Sequence, residues 1–153
     1  MITFQPLEKS QFDSIIEMMQ DFYAIDNYPI DIEVSKKLFE EFVLDEKLGK
    51  AFLIYQSDEV GIYEIVGYVI LAFFFSFEYK GRTAFLDELF IKENFRGKGI
   101  GKQTIDFIKK QASNQNIKLI YLEVENHNQN AQKLYLANDF VVHNRKLLKH
   151  KLL

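Results

Sequence analysis

The residues best suited to chemistry in this chain lie between Leu86 and Gln111, LDELFIKENFRGKGIGKQTIDFIKKQ. A strand-like run ends near Ile91. One short turn later comes Arg96-Gly97-Lys98-Gly99-Ile100-Gly101, with a helical pattern directly behind it. Three glycines in five positions at a helix start bare a row of backbone N–H groups. The first helical turn leaves those donors unpaired and carries the positive end of the helix dipole, which makes it a ready anion site. The segment therefore reads as a holder for a phosphate-bearing ligand.

Two familiar phosphate loops fail letter by letter. A P-loop needs Gly, four residues, then Gly-Lys-Ser/Thr. Here Gly101-Lys102 is followed by Gln103, and Arg96 stands where the first Gly should be. The dinucleotide fingerprint needs G-x-G-x-x-G at the first strand-to-helix turn of a doubly wound fold; this chain has G-x-G-x-G well past its middle. A plain tight turn is the bland alternative. Against it stands charge: Arg96 and Lys98 at a helix N-terminus oppose the dipole, and an anion there would resolve the conflict.

The elements that must position this turn follow from periodicity. Ile2 to Pro6 reads as a strand, and Ser10 as the cap of a helix running to about Tyr23, with Phe12, Ile15, Ile16, Met19, Phe22 and Tyr23 at helical spacing. A second helix is expected from about Ile32 to Asp45, ending near Gly49. Strands follow at Ala51 to Tyr55, Ile65 to Tyr79 and Thr83 to Ile91, the last two joined at Gly81-Arg82. A helix from Gly99 to about Ala112 then precedes a strand from Leu119 to Val124, a short helix from Gln129 to Ala137, and two closing strands at Phe140 to Asn144 and Leu147 to Leu152.

That order predicts an α/β chain with a mixed sheet and helices on both faces. A crossover connection makes the fourth and fifth strands parallel neighbours. Ligands in such sheets bind beyond the carboxyl ends of the strands, here near Leu89 to Ile91 and Val124 to Asn126, on the edge that holds the glycine turn.

Composition sets the bounds. The 153 residues are expected to form one domain, 1–153, with a sizeable core, since 48% are hydrophobic and Phe and Tyr number 15 and 8. A formal net charge of −3 argues against a nucleic-acid partner. With no cysteine there is no disulfide, thiolate metal site or Cys nucleophile, and the three histidines show no metal spacing. No signal pattern opens the chain, and the longest apolar run, Gly67 to Phe77, is short of the ~20 residues that span a bilayer. A soluble, cytoplasmic protein without a membrane or metal partner is the expectation.

Motif and order together resemble a known family. Arg96-Gly97-Lys98-Gly99-Ile100-Gly101 is similar to the Q/R-x-x-G-x-G/A motif of the GNAT N-acetyltransferase superfamily, and Leu86 to Ile91 looks like that family's fourth strand. Downstream, Asn128-Gln129-Asn130-Ala131-Gln132-Lys133-Leu134-Tyr135, with Phe140 five residues on, resembles the family signature N-x-x-A-x-x-L-Y-x-x-x-G-F. Asp139 stands where that signature has Gly, so Asp139 or Asn138 must supply the helix-ending turn; both tolerate a left-handed backbone.

The resemblance implies a GNAT-like fold: a central, mostly antiparallel sheet whose parallel fourth and fifth strands splay at the cofactor site. It implies acetyl-CoA as cosubstrate and no metal. The pyrophosphate would lie on the N–H groups from Gly97 through Gly99, Ile100 and Gly101 to Lys102, helped by Arg96 and Lys98. The pantetheine arm would run along Leu89, Phe90 and Ile91 like an added strand, with an N–H near Leu89 for the thioester oxygen. Asn128 and Lys133 complete the implied cofactor contacts, although Asn128 also reads as a simple helix cap. Tyr135 matches the family's catalytic Tyr, the acid for the leaving thiolate. With a reference pKa near 10 it stays protonated at neutral pH.

Asp87 and Glu88 are the base candidates, acting directly or through a water. Adjacent strand residues face opposite sides, so one of the two would face an acceptor unless a bulge intervenes. A structural acidic spot is the alternative reading for this pair, and an ordinary half-buried aromatic for Tyr135. The run Phe75-Ser76-Phe77, then Asp87-Glu88 after a hairpin, is similar to the diamine and polyamine branch of the family. Asp21, Asp26 and Asp31 around the first interhelical loop would add an acidic rim attractive to a small cationic amine. Other acceptors remain open: an aminoglycoside, or a protein or peptide amine. So does a non-catalytic acyl-CoA-binding module. Family members are often dimers, so a homodimer is also an expectation.

Overall fold

A computed structural model of the chain describes residues 1–61 and 63–153. The chain separates into two compact units, Met1–Glu123 and Val124–Leu153. The first holds strand β1 (Ile2–Pro6), helices α1 (Phe12–Ile25) and α2 (Ile32–Leu44), and strands β2 (Gly49–Ser57), β3 (Tyr63–Ser76) and β4 (Gly81–Ile91). Helix α3 (Ile100–Asn114) and strand β5 (Ile120–Leu122) complete it. The second unit holds helix α4 (Gln129–Leu136).

The five strands form one sheet in the order β1-β2-β3-β4-β5. The first three pairings are antiparallel and β4 runs parallel to β5, as a strand–helix–strand crossover requires. Side chains alternate between faces, and each face takes its own helices. Leu53, Tyr68, Ile70 and Phe90 pack under Ile15, Ile16 and Met19 of α1 and Phe39 of α2. On the other face, Ile54, Val66, Leu89 and Ile91 pack with Ile100 of α3. Phe107 of the same helix stacks on Phe4 of β1 at 4.1 Å and meets Phe52 of β2 edge-on at 4.9 Å. Each fully buried aliphatic side chain contributes about 1.5–3 kcal/mol by leaving water, so the two apolar helix stripes are what clamp the sheet.

Several boundaries differ from the sequence expectation. Ser10 does not cap α1: Lys9–Gln11 form a 3-10 turn, closed by a reciprocal capping box between Glu8 and Gln11, and α1 begins at Phe12. Asp31 caps α2 through a bond from the Val34 amide at 3.0 Å. The two strands expected at Phe140 to Asn144 and Leu147 to Leu152 are absent: the described residues from 141 onward carry no strand. Their short apolar runs look strand-like, but a strand exists only where its amide groups find a ladder, and Val141, Val142, Leu147, Leu148 and Leu152 lie exposed. Among the described residues, no helix is long and apolar enough to cross a membrane.

Candidate active site

Strand β4 carries an irregularity that organises everything near it. Its register against β3 steps from Leu71↔Leu86 to Ile70↔Glu88, so Asp87 is an extra residue, a β-bulge. A regular strand would send Asp87 and Glu88 to opposite faces. The bulge resets the alternation, and both carboxylates open into the same cavity beside Ile70 and Ala72.

The bulge also reverses which backbone groups face the β5 side. Before it, the Ala84 N–H bonds the Leu119 carbonyl on that side. After it, the Lys92 N–H bonds the Val66 carbonyl of β3, so by two-residue alternation Leu89 and Ile91 present their N–H and C=O groups away from β3. Pairing with β5 covers Ala84, Phe85 and Leu86 alone. The edge from Asp87 to Ile91 is thus left open to an extended ligand that can bond like a strand. One of its acceptors is already used: Arg96 Nε donates to the Ile91 carbonyl at 2.8 Å, tying the glycine turn to the strand end.

The turn has the geometry its glycines foretell. Gly97 and Gly99 have φ of +74° and +78°, and Gly99 is the N-cap of α3. The left-handed backbone there is strained for residues with a Cβ. The first intrahelical bond is accepted by the Gly99 carbonyl from Gln103, so the amides of Ile100, Gly101 and Lys102 form the unpaired first turn. The cations differ in their commitments. Lys102 is paired with Asp106 at 2.8 Å one turn on. Lys98 lies over the Phe95 ring at 5.1 Å, and the Arg96 guanidinium over Phe90 at 5.6 Å.

The cavity, about 550 Å³, opens between α1, the α1–α2 loop, α2 and strands β3 and β4. Ile30, Val34, Leu38 and Phe42 give it apolar walls, and Asp31, Glu41, Asp87 and Glu88 are its charged residues, all of one sign. Such a lining favours a cation with an aliphatic stem. Of the three aspartates expected at the rim, Asp31 lines the cavity; Asp21 and Asp26 do not. Glu41 was not anticipated, because its position on an exposed helix face looks like any solvated charge. The aromatic residues at the end of β3 do not line this cavity: Phe75 and Phe77 lie exposed, and Phe74 stacks on Tyr121 at 6.0 Å.

Both carboxyls of the bulge are pushed above the ordinary carboxylate range. Asp87 lies at the cavity mouth, open to solvent by area, yet surrounded by enough protein that burial raises it, with the Glu123 charge adding to the effect. Among the described residues no side chain bonds its carboxylate. Glu88 is raised by burial first, then opposed by two hydrogen bonds that favour its charged form. Tyr23 donates to Oε2 at 2.7 Å and Tyr68 to Oε1 at 2.8 Å. Neither tyrosine stood out in the sequence, where both read as core positions of α1 and β3.

In the second unit, Asn128 caps α4 by accepting from the Ala131 amide at 3.1 Å. Lys133 and Tyr135 lie on the same helix. Burial pushes the Tyr135 phenol up to about 12, and Phe140 meets its ring edge-on at 5.7 Å. Asp139 takes φ of +68° and the Phe140 amide bonds back to the Tyr135 carbonyl. Asp139 thus ends the helix in the left-handed conformation that a glycine would otherwise supply.

Comparison with known proteins adds the lineage. A segment of the chain is 33% identical over 73 residues to the thialysine N-epsilon-acetyltransferase of Bos taurus, a match covering 48% of this chain and 42% of that protein's own length. The fold superimposes on an integron cassette protein from the mobile metagenome of Cole Harbour Salt Marsh with a TM-score of 0.85 and 23% identity, over 98% of this chain and 90% of the other. It is also similar to an aminoglycoside N-acetyltransferase in complex with CoA, with a TM-score of 0.79 and 14% identity, over 100% and 96% of the two chains. Likenesses this distant in sequence speak for the fold alone. The model of the acetyltransferase (GNAT) family matches residues 12–140, which run through both units. The chain belongs to the acetyltransferase (GNAT) family.

Proposed function

We propose that residues 1–153 form one N-acetyltransferase domain that acetylates the primary amine of a small cationic acceptor by direct attack in a ternary complex. The observation that carries this reading is the β4 bulge. It sets two carboxylates in an acidic, apolar-walled cavity and, in the same stroke, leaves the Leu89–Ile91 edge open beside an anion-binding turn.

The open edge fits the arm of acetyl-CoA, and the turn fits its phosphates. When bound, acetyl-CoA supplies the thioester: the acetyl carbon bonds to the amine nitrogen, the C–S bond breaks, and CoA leaves as the thiol. The chain's own residues do the rest. The amides from Gly97 to Lys102, with Arg96 and Lys98, hold the pyrophosphate. Phe90 supports the Arg96 guanidinium. The Leu89 amide, facing the open edge, is placed to donate to an oxygen that gains negative charge. Asp87 takes the surplus proton of the ammonium so that the nitrogen lone pair is free; as the C–S bond breaks, Tyr135 gives its phenol proton to the departing sulfur and is restored by the second proton that the nitrogen sheds. Asn128 and Lys133 are the remaining cofactor contacts of this reading.

The acceptor is read from the cavity. Its like-signed carboxylates select a cation, and its apolar walls select an aliphatic stem. The bovine relative's name, which specifies an N-epsilon amine, agrees with an ω-amine on a short chain. Aminoglycoside amines are the second reading, because the acidic lining also suits a polycationic sugar. A panel of diamines, ω-amino acids, aminoglycosides and peptide amines with acetyl-CoA consumption measured separates them, the expected winner being an aliphatic ω-amine. If CoA binds but no amine in the panel is acetylated, the protein is a binding module and the reading fails.

A further inference from the structure

We propose that Tyr23 and Tyr68 are positioning residues that hold Glu88 as a fixed, ionised anion in the acceptor cavity, leaving Asp87 as the carboxylate that exchanges protons with the incoming amine. The inference rests on the acceptor reading above and goes beyond it, because it gives the two adjacent acids different tasks.

The geometry is a clamp from two elements. Tyr23, near the end of α1, reaches Glu88 Oε2 at 2.7 Å, and Tyr68, from the middle of β3, reaches Oε1 at 2.8 Å. Tyr68 is wholly buried, and its ring packs against Phe90 at 5.9 Å and Phe22 at 6.5 Å. One donor anchored in the core and one on a helix fix both oxygens of one carboxylate. A phenol O–H donates best to an ionised carboxylate; protonating Glu88 would turn one of its oxygens into a donor facing another donor. Each oxygen still has a second lone pair for an ammonium N–H. Glu88 is therefore built to attract and orient a cation, and poorly built to accept and pass on its proton. Asp87 has the complementary design: no hydrogen bond from the described residues, and a solvent-exposed place on the same cavity.

The charges around Glu88 make the clamp necessary. Asp87 lies beside it on β4, Asp31 and Glu41 line the same cavity from the α2 side, and Glu123 beyond β5 acts on Asp87. Among the described residues, the lining holds no Lys, Arg or His. Burial and like charge both push Glu88 toward the neutral form, and the two phenols are the groups that oppose them. Both phenols are themselves raised far above the ordinary tyrosine range, burial being the main cause in each, so they remain donors at any working pH.

The test reads Glu88 directly. Its side-chain carboxyl carbon is followed by NMR titration in the free protein, assigned with Glu88→Gln, and compared in Tyr23→Phe and Tyr68→Phe. Because Tyr68 is a core residue, Tyr23→Phe is the variant that best preserves the fold. The expected result is a Glu88 midpoint moved to higher pH. With the best amine of the panel, the acid limb of the kcat/KM profile should move the same way and KM for the amine should rise about tenfold, with CoA affinity unchanged. In a Glu88→Gln background, Tyr23→Phe should cost nothing further. A Glu88 midpoint unmoved by either change overturns the clamp, as does an equal cost of Tyr23→Phe with and without Glu88. If no amine is acetylated yet the midpoint moves as expected, the clamp stands and the acetyltransferase reading falls.

Discussion

Asp87 and Glu88 are neighbours in sequence and open onto the same side of the sheet, because Glu88 pairs with Ile70 while Asp87 has no partner in the β3–β4 ladder. Two carboxylates so close, in a partly dry cavity, cannot both be ordinary. Both are raised, and the tyrosine bonds fall on Glu88 alone.

Asp87→Asn separates catalysis from stability. Activity toward the best amine should fall by about 10²–10⁴ in kcat/KM, the usual worth of a general base. Stability should change in the opposite sense. Asp87 is raised in the folded state, so the native protein holds its proton more tightly than the unfolded chain does. Wild-type stability then declines as pH rises from the unfolded Asp value, about 3.9, through the raised folded one. The variant should accordingly melt higher than wild type at neutral pH and alike below about pH 3. Thermal melts across that range check the sign; a variant that melts lower at neutral pH would contradict the burial of this carboxylate.

Arg96→Ala removes both a charge at the turn and the bond that ties the turn to the Ile91 carbonyl. CoA affinity measured by calorimetry should weaken about tenfold or more, as expected for one charge-assisted hydrogen bond. Unchanged affinity would sink the phosphate-turn argument.

Gly99→Ala tests the conformation of the turn. An added Cβ meets nothing within 4 Å, so the cost is backbone strain at φ of +78°, roughly 1–2 kcal/mol. For a chain of this size that is a melting point lower by several degrees. The variant should also bind CoA less well, because relieving the strain re-aims the first-turn amides. No change in melting temperature would mean the turn is not left-handed.

Tyr135→Phe should lower kcat by about 10²-fold or more at neutral pH while leaving CoA affinity within about twofold. Since burial raises the phenol to about 12, wild-type activity should show no loss from Tyr135 ionisation up to about pH 10. Steady-state rates from pH 6 to 10 check both statements. Unaltered transfer by the variant would remove Tyr135 from the acid role.

Much of this was legible in the linear chain because the signals are local. Left-handed turns favour glycine, so Gly97-x-Gly99 ahead of an amphipathic stretch marks a helix start with bare amides. Apolar spacing of 3.6 residues placed α1, α2 and α3 to within a few residues, and the order of elements implied a parallel β4–β5 pair. That Asp139 or Asn138 would supply a left-handed turn followed from residue type and from the place of glycine in the signature; the structure gives it to Asp139. Local signals also misled. The short apolar runs of the C-terminal segment read as strands, but pairing is a property of neighbours in space. Ser10 read as a cap, but the Glu8–Gln11 box took that task one turn earlier.

What the tertiary structure decided is the arrangement of the acidic pair. A bulge inserts one residue into one strand against its partner, and nothing in LDELFI announces which residue lacks a partner; that depends on how β3 lies beside β4. The same step decides which amides of β4 face the open edge, because hydrogen-bond direction alternates along a strand and reverses at the extra residue. The bonds from Tyr23 and Tyr68 to Glu88 span 65 and 20 residues of sequence, a separation at which no periodicity survives. The sequence by itself determined that the chain carries a glycine-rich turn ahead of a helix, an acidic pair and a tyrosine on a downstream helix. The fold decided that both acids share one cavity and that two phenols hold one of them, because distance and direction between side chains exist only once the strands are paired.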